Sequence, residues 1–259
     1  MTNGITLEGI TFTNTDLPSA TSSDDVIKAD PDLLFWLRAD QDFTTRSSAE
    51  ILTFTDYAEG AATFAAQGAS NRADLEDGQI AGYQAAHFET DQTTVFDGYV
   101  SSGLTLNSNQ AFTFAAIVRF DTVGVSQSIV GRYASTTSRA VLQLSSANNP
   151  RILARSHFAD AATTVAAGDW ELIIGSFDGA NTVRIWHRGA VASSALATSG
   201  DTSTGDLRLG TLQGTVFQAA DMDLSDVIII GRELLADMTG DTLQAIIDVA
   251  ENVYGITVS

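Results

Sequence analysis

Apolar and polar positions alternate with a period of two along much of this chain. In residues 111–120, Phe112, Phe114, Ala116, Val118 and Phe120 share one side, while Thr113, Ala115, Ile117 and Arg119 share the other. Successive side chains of a strand point to opposite faces, so the phenylalanine row predicts a core-facing strand. Residues 169–177 and 182–188 are two further runs rich in β-branched and aromatic residues, joined by Asp178, Gly179, Ala180 and Asn181. Asp, Gly and Asn tolerate the positive φ of a tight turn, so this stretch predicts a hairpin. In its second strand Val183 and Ile185 face one way and Arg184, Trp186 and Arg188 the other. A turn at Arg188 and Gly189 starts a third short run over 190–193.

The apolar run 33–37 predicts a strand buried on nearly both faces. Segments 53–67 and 71–88 follow it. Further short strands are predicted over 128–131, 139–144, 151–156, 207–210, 216–220 and 226–230, each bounded by Gly, Asn, Asp, Ser or Pro. Many short strands with polar turns define an all-β sandwich or barrel, and no repeat of solenoid or propeller length is present. One good helix is predicted near the end, with Asp241 as its N-cap and Leu243, Ile246, Ile247, Ala250 and Val253 as a single apolar stripe. Phe112, Phe114, Val118, Leu172, Ile174, Val183 and Ile185 are expected in one core.

Residues 1–29 differ from the rest. Residues 4–13 carry one or two short strands, and 14–25 are Ser/Thr/Asp/Pro linker chemistry. So small a piece cannot bury its own core. Ile5, Leu7, Ile10 and Phe12 are therefore expected to dock, either as an ordinary edge strand or as an arm that anchors the chain to another subunit. The second option implies an oligomer or a larger assembly.

Thirteen Lys and Arg against 32 Asp and Glu leave a formal charge of −19 in 259 residues. Such a surface repels phosphate backbones and anionic membranes, which argues against nucleic-acid partners. With no cysteine, disulfides, thiolate metal sites and cysteine nucleophiles are excluded. Residues 1–6 have neither a basic n-region nor an apolar h-region, and no run is long enough to span a bilayer.

The order of these segments carries a resemblance. Trp170, an apolar run, then Phe177, Asp178 and Gly179 and an alternating strand look like the central hairpin of concanavalin A-like, laminin G-type jelly rolls. Leu34, Phe35, Trp36 and Leu37 followed by Ala39 and Asp40 resemble the opening strand of such domains in phage and marine bacterial proteins. Arg232, Leu234, the terminal helix and Tyr254, Gly255 and Ile256 resemble their closing segment. The matches run from about Asp30 to Ile256, which sets the domain at residues 30–259. The resemblance implies a jelly-roll sandwich of two antiparallel sheets with an N-terminal arm and one C-terminal helix. It also implies a non-enzymatic binding or structural module that recognises a glycan or a receptor. Laminin G-like folds usually act outside cells. A chain without an export signal fits a phage virion surface, as a tail or baseplate fibre or a capsid decoration; a bacterial extracellular adhesion domain is the alternative.

Candidate site residues are few. Family glucanases carry Glu-x-Asp-x-x-Glu on one strand, where period two sets a carboxylate pair on one face. The nearest run here, Asp221, Met222, Asp223, Leu224, Ser225 and Asp226, has no Glu, so hydrolase chemistry is not expected, and Asp221 and Asp223 stand as a cation site or a solvated turn. Calcium is a common partner of the fold, and Asp97, Asp121 and Asp160 are further loop acids. His87, His157 and His187 are not joined by a metal spacing and are expected at the surface or at strand edges. Trp186, between Arg184 and Arg188, either stacks on a ligand or is covered by the arm or the helix.

Overall fold

The computed structural model describes residues 21–91, 93–107, 109–195 and 204–258. The expected arm residues Ile5, Leu7, Ile10 and Phe12 lie outside them. In chain order, α1 (Ser23–Lys28) leads into β1 (Leu33–Arg38), β2 (Thr44–Ser47), β3 (Glu50–Thr55), β4 (Thr63–Ala66), β5 (Asp74–Ile80) and β6 (Tyr83–Phe88). The middle of the chain supplies β7 (Tyr99–Asn107), β8 (Phe112–Phe120), β9 (Gln127–Ser135), β10 (Ser138–Leu144), β11 (Pro150–Ala154) and β12 (His157–Asp160). Then come β13 (Trp170–Phe177), β14 (Thr182–His187), β15 (Ala190–Ala195), β16 (Thr204–Leu209), β17 (Met222–Ile230) and α2 (Asp241–Asp248).

The strands pair antiparallel. In the first sheet β15, β14, β13, β8 and β17 lie side by side, and the far edge of β17 is shared by β6 near its start and β1 near its end. The second sheet runs β2, β3, β4, β7, β16, β9, β10, β11, β12. The chain crosses between the sheets repeatedly, from β7 to β8, β8 to β9, β12 to β13, β15 to β16 and β16 to β17, which makes the sandwich a jelly roll.

Two apolar layers hold it. Phe112, Phe114, Ala116, Val118 and Phe120 face the second sheet across the inter-sheet core, with Val183 and Ile185 among them. Leu172 and Ile174 are buried too, but in a separate layer on the outer face of the first sheet. The expectation of a single core fails because β13 is covered on both faces: its outer side chains meet α2 and the chain after it. Inside the sandwich Gly175 fills a tight place, since a Cβ there would lie 2.8 Å from Ile152 Cδ1.

Three local expectations also change. Gly240, not Asp241, is the N-cap of α2, and Asp241 is its first helical residue. Residues 216–220 form turns rather than a strand. The supposed linker ends in α1, whose Ser22 and Asp25 close a reciprocal capping box. Ile27 of α1 is fully buried in the outer apolar layer. Asp226, on β17, ties the termini together: it accepts from Trp36 Nε1 at 2.6 Å, from Arg38 Nε at 3.1 Å and from the Tyr254 hydroxyl. Arg38 reaches on to Asp24 of α1 at 2.9 Å.

Candidate ligand-binding faces

Trp186 is not available to a ligand. It is buried within the outer apolar layer, with Leu243 and Ile246 of α2 in the same cluster, so the covered alternative holds. Its neighbours are paired. Arg184 meets Glu233, and Arg188 meets Glu171, which also accepts from His187 at 3.0 Å. Burial alone would raise the Glu171 carboxyl, but His187 and Arg188 more than offset it and hold it below the usual range. His187 has no exposed surface. It lies between Glu171 and the Thr163 hydroxyl at 2.6 Å, so the surface expectation fails for it.

The tryptophan that does border a cleft is Trp170. With Gln79, Glu171, Arg188 and Tyr254 it lines a hollow of ≈ 540 Å³. Its ring nitrogen donates to the Gln79 carbonyl at 3.2 Å, and Arg119 lies 5.6 Å over the ring. The signal was present in the sequence: Trp170 starts its strand, where covering is incomplete, whereas Trp186 sits inside one.

Asp223 is a strand residue with no exposed surface, not part of a solvated turn. Arg119 binds one of its oxygens and His87 Nδ1 lies 2.8 Å from the other. That hydrogen bond pushes the His87 pKa up to about 9, against the cost of burial. Burial and the Asp223 charge raise Asp121, which is 3.6 Å from His87. Asp221 reaches this group through its carbonyl, which accepts from the Asp121 N–H. Glu76, His87 and Asp223 place ligand atoms within 4.8 Å of one another, yet Arg119 and a protonated His87 already compensate the carboxylates. Beside them Asp97 is pushed up to about 6, chiefly by burial, in a hollow that also carries Glu50, Asp74, Arg72 and His87. The carboxylates suit calcium in type, but these cations already face them, and Asp160 stands apart, bonded to Arg151 at 2.5 Å. The five expected loop acids therefore do not form one cage.

Sequence reasoning missed the outer face of the second sheet. The antiparallel register sets Leu153 opposite both Val141 and Phe158, Arg151 opposite Asp160, and Arg139 opposite Tyr133. Leu212, from the loop after β16, packs onto Val141 and Leu153 in a third, small apolar cluster. Together they line a hollow of ≈ 250 Å³, and Phe217 borders both it and an adjoining hollow of ≈ 460 Å³ beside Val125. Phe158 is 46% exposed and Phe217 53%. Phe158 on β12 and Phe217 in the turn before β17 thus bring two large exposed aromatics to one hollow, a grouping that suits a contact surface. Arg151 lies 4.1 Å over the Phe158 ring. The alternation of β10 and β11 gives this pattern, but only the cross-strand register reveals that the outward residues meet.

A two-sheet antiparallel jelly roll defines a class of sandwich domains. The sequence profile described as the concanavalin A-like lectin/glucanases superfamily matches residues 92–238, more than half of the chain, which belongs to that superfamily. No curated protein matches it. Among solved structures, the fold is similar to the binding domain of Paraclostridial Mosquitocidal Protein 1, with 11% identity, a TM-score of 0.56, and coverage of 83% of this chain and 52% of that one. It is also similar to the binding domain of Botulinum neurotoxin DC in complex with rat synaptotagmin II, with 13% identity, a TM-score of 0.54, and coverage of 86% and 52%. A Trypanosoma rangeli sialidase with the inhibitor DANA matches at 12% identity and a TM-score of 0.51, with coverage of 85% and 33%. The chain thus spans about half of the toxin chains and a third of the sialidase chain.

Proposed function

We propose that this chain is a non-catalytic binding module of a phage virion surface, a tail or baseplate fibre component or a capsid decoration, that recognises a glycan or glycosylated receptor. The observation that carries the binding role is the outer face of the second sheet, where exposed Phe158 and Phe217 flank a preformed hollow. That the two similar regions are binding domains, one of them in complex with rat synaptotagmin II, agrees with this reading. The paired state of Asp223 and Glu171 speaks against hydrolysis, because neither carboxylate is left to attack or protonate a sugar. The arm expected over residues 1–29 loses its last part to the sandwich, because α1 buries Ile27 there; assembly is therefore assigned to the residues before it, through Ile5, Leu7, Ile10 and Phe12 adding to a sheet edge of a virion protein or a second copy.

Two experiments test it. Glycan-array binding of the purified chain should be positive and should weaken in Phe217→Ala. Removing residues 1–20 should leave the circular dichroism spectrum unchanged and abolish incorporation into particles or oligomers. Binding that ignores Phe217, or normal assembly without the arm, would overturn the corresponding half. Portal, major capsid or tail-tube genes beside this one would support the virion assignment; a secretion operon there would remove it.

A further inference from the structure

The charge of this protein is unevenly distributed. Residues 122–159 contain four arginines, Arg132, Arg139, Arg151 and Arg155, and no Asp or Glu, in a chain of net charge −19. Like charges gathered together repel one another, so an anionic ligand that rewards the cluster is a natural reason for it.

Two of the four serve the interior. Arg132 is 2% exposed and donates to the Ser138 hydroxyl at 3.1 Å. Arg155 donates to the Ala180 carbonyl at 2.8 Å and lies over the Phe177 ring. The other two, Arg139 and Arg151, line the hollow on the outer face of the second sheet. Asp160 engages Arg151 with both oxygens, at 2.5 and 2.8 Å. Arg139 donates its Nε to the Arg155 carbonyl at 2.8 Å and meets no carboxylate among the described residues. Burial, together with the like charge of Arg151, lowers the Arg139 pKa. An anion arriving beside it would relieve that unfavourable state.

We propose that the outer face of β9–β12 and the loop carrying Leu212 and Phe217 is a site for a carboxylated saccharide. This rests on the binding-module reading and names the chemistry of its ligand. The planar guanidinium of Arg139 matches a carboxylate in bidentate geometry, which a lysine would not. The exposed Phe217 ring suits the C–H face of a pyranose, and Phe158, whose ring carries Arg151 on one side, adds apolar edge beside it. The Gln143 amide and the Thr136 hydroxyl at the same hollow suit ring hydroxyls. The adjoining hollow continues past Phe217, so an oligosaccharide rather than a single sugar fits the face.

The test is calorimetric titration of the full chain with oligogalacturonate, oligomannuronate and oligoguluronate, each beside its methyl ester, which keeps the sugar and removes the charge. At least one acid should bind, and its ester should bind about tenfold more weakly or worse, the size of a lost charge-assisted hydrogen bond. Arg139→Gln and Phe217→Ala should each weaken the acid by a similar factor. Phe217→Ala, at an exposed site, keeps the test valid if Arg139→Gln perturbs folding. Arg46→Gln, at an exposed position on β2, should change nothing. An ester that binds as tightly as its acid overturns the charge assignment and leaves the saccharide-binding reading standing. Acid binding that survives both site variants overturns this location. If none of the acids or esters binds, this inference falls, and the glycan array alone decides the broader glycan reading.

Discussion

Asp226 shows what one buried side chain does in this fold. Its carboxylate serves Trp36, Arg38 and Tyr254 at once, joining β1, β17 and the chain after α2. Asp226→Ala would leave a buried indole N–H and a phenol without an acceptor, and should cost about 3–5 kcal/mol, the range for breaking a buried charged pair; urea unfolding measures it. His87 offers a pH test. Its folded pKa of about 9 lies above the ordinary 6.5, so the folded state holds the proton more tightly than the unfolded chain. The stability it contributes is fully present below pH 6.5 and is lost as the pH rises through 9. The stability advantage of the native chain over His87→Gln should therefore be largest below that window and vanish above it; a pH-independent difference would refute the coupling to Asp223. Neither role was legible in the sequence. Asp226 read as the start of a strand and His87 as a surface or strand-edge residue, because the partners of both come from distant strands. The Trp186 side of its strand was legible, but what covers that side was not: period two names a face and is silent about the layer packed on it.

At the scale of elements, alternation carried most of the information. The face assignments of β8 and β14 hold, since a strand fixes which residues share a side whatever its partners are. Phe114→Ala should cost about 3–5 kcal/mol as a truncated core phenylalanine. Gly175→Ala, directly across the core from Ile152, should cost about 1–3 kcal/mol as overpacking. Equilibrium unfolding of both checks the inter-sheet core from opposite directions, one by a cavity and one by a clash. α1 escaped because six residues carry too little periodicity to stand out, although Ser22 and Asp25 were a capping signal within a stretch that otherwise resembled a linker. A chain beginning at Ser22 should melt with the full-length protein. One beginning at Ala29 should melt lower, since it loses Ile27 from the outer layer and Asp24 from Arg38 and Tyr57.

For the whole molecule, the order of segments made the jelly roll legible where no single motif did, because each turn and strand length limits what can follow it. The division of the apolar residues into inter-sheet and outer layers was not, since both layers draw on equally hydrophobic strands. The same holds for function: the acidic run from Asp221 to Asp226 resembled a catalytic triplet in spacing, and folding places two of its carboxylates in the interior. β17 buries Asp223 and Asp226 on structural partners, Arg119 and His87 for the first, Trp36, Arg38 and Tyr254 for the second. Glycoside hydrolysis needs one carboxylate placed to attack or to activate water and another to protonate the leaving oxygen, both open to the sugar. Incubation with β-glucans, agar and alginate should accordingly release no reducing ends. Asp223→Asn should lower the melting temperature, as expected for a carboxylate that holds an arginine and a histidine together, while changing no turnover. Reducing-end release that Asp221→Asn or Asp223→Asn abolishes in a chain that stays folded would overturn the non-catalytic assignment.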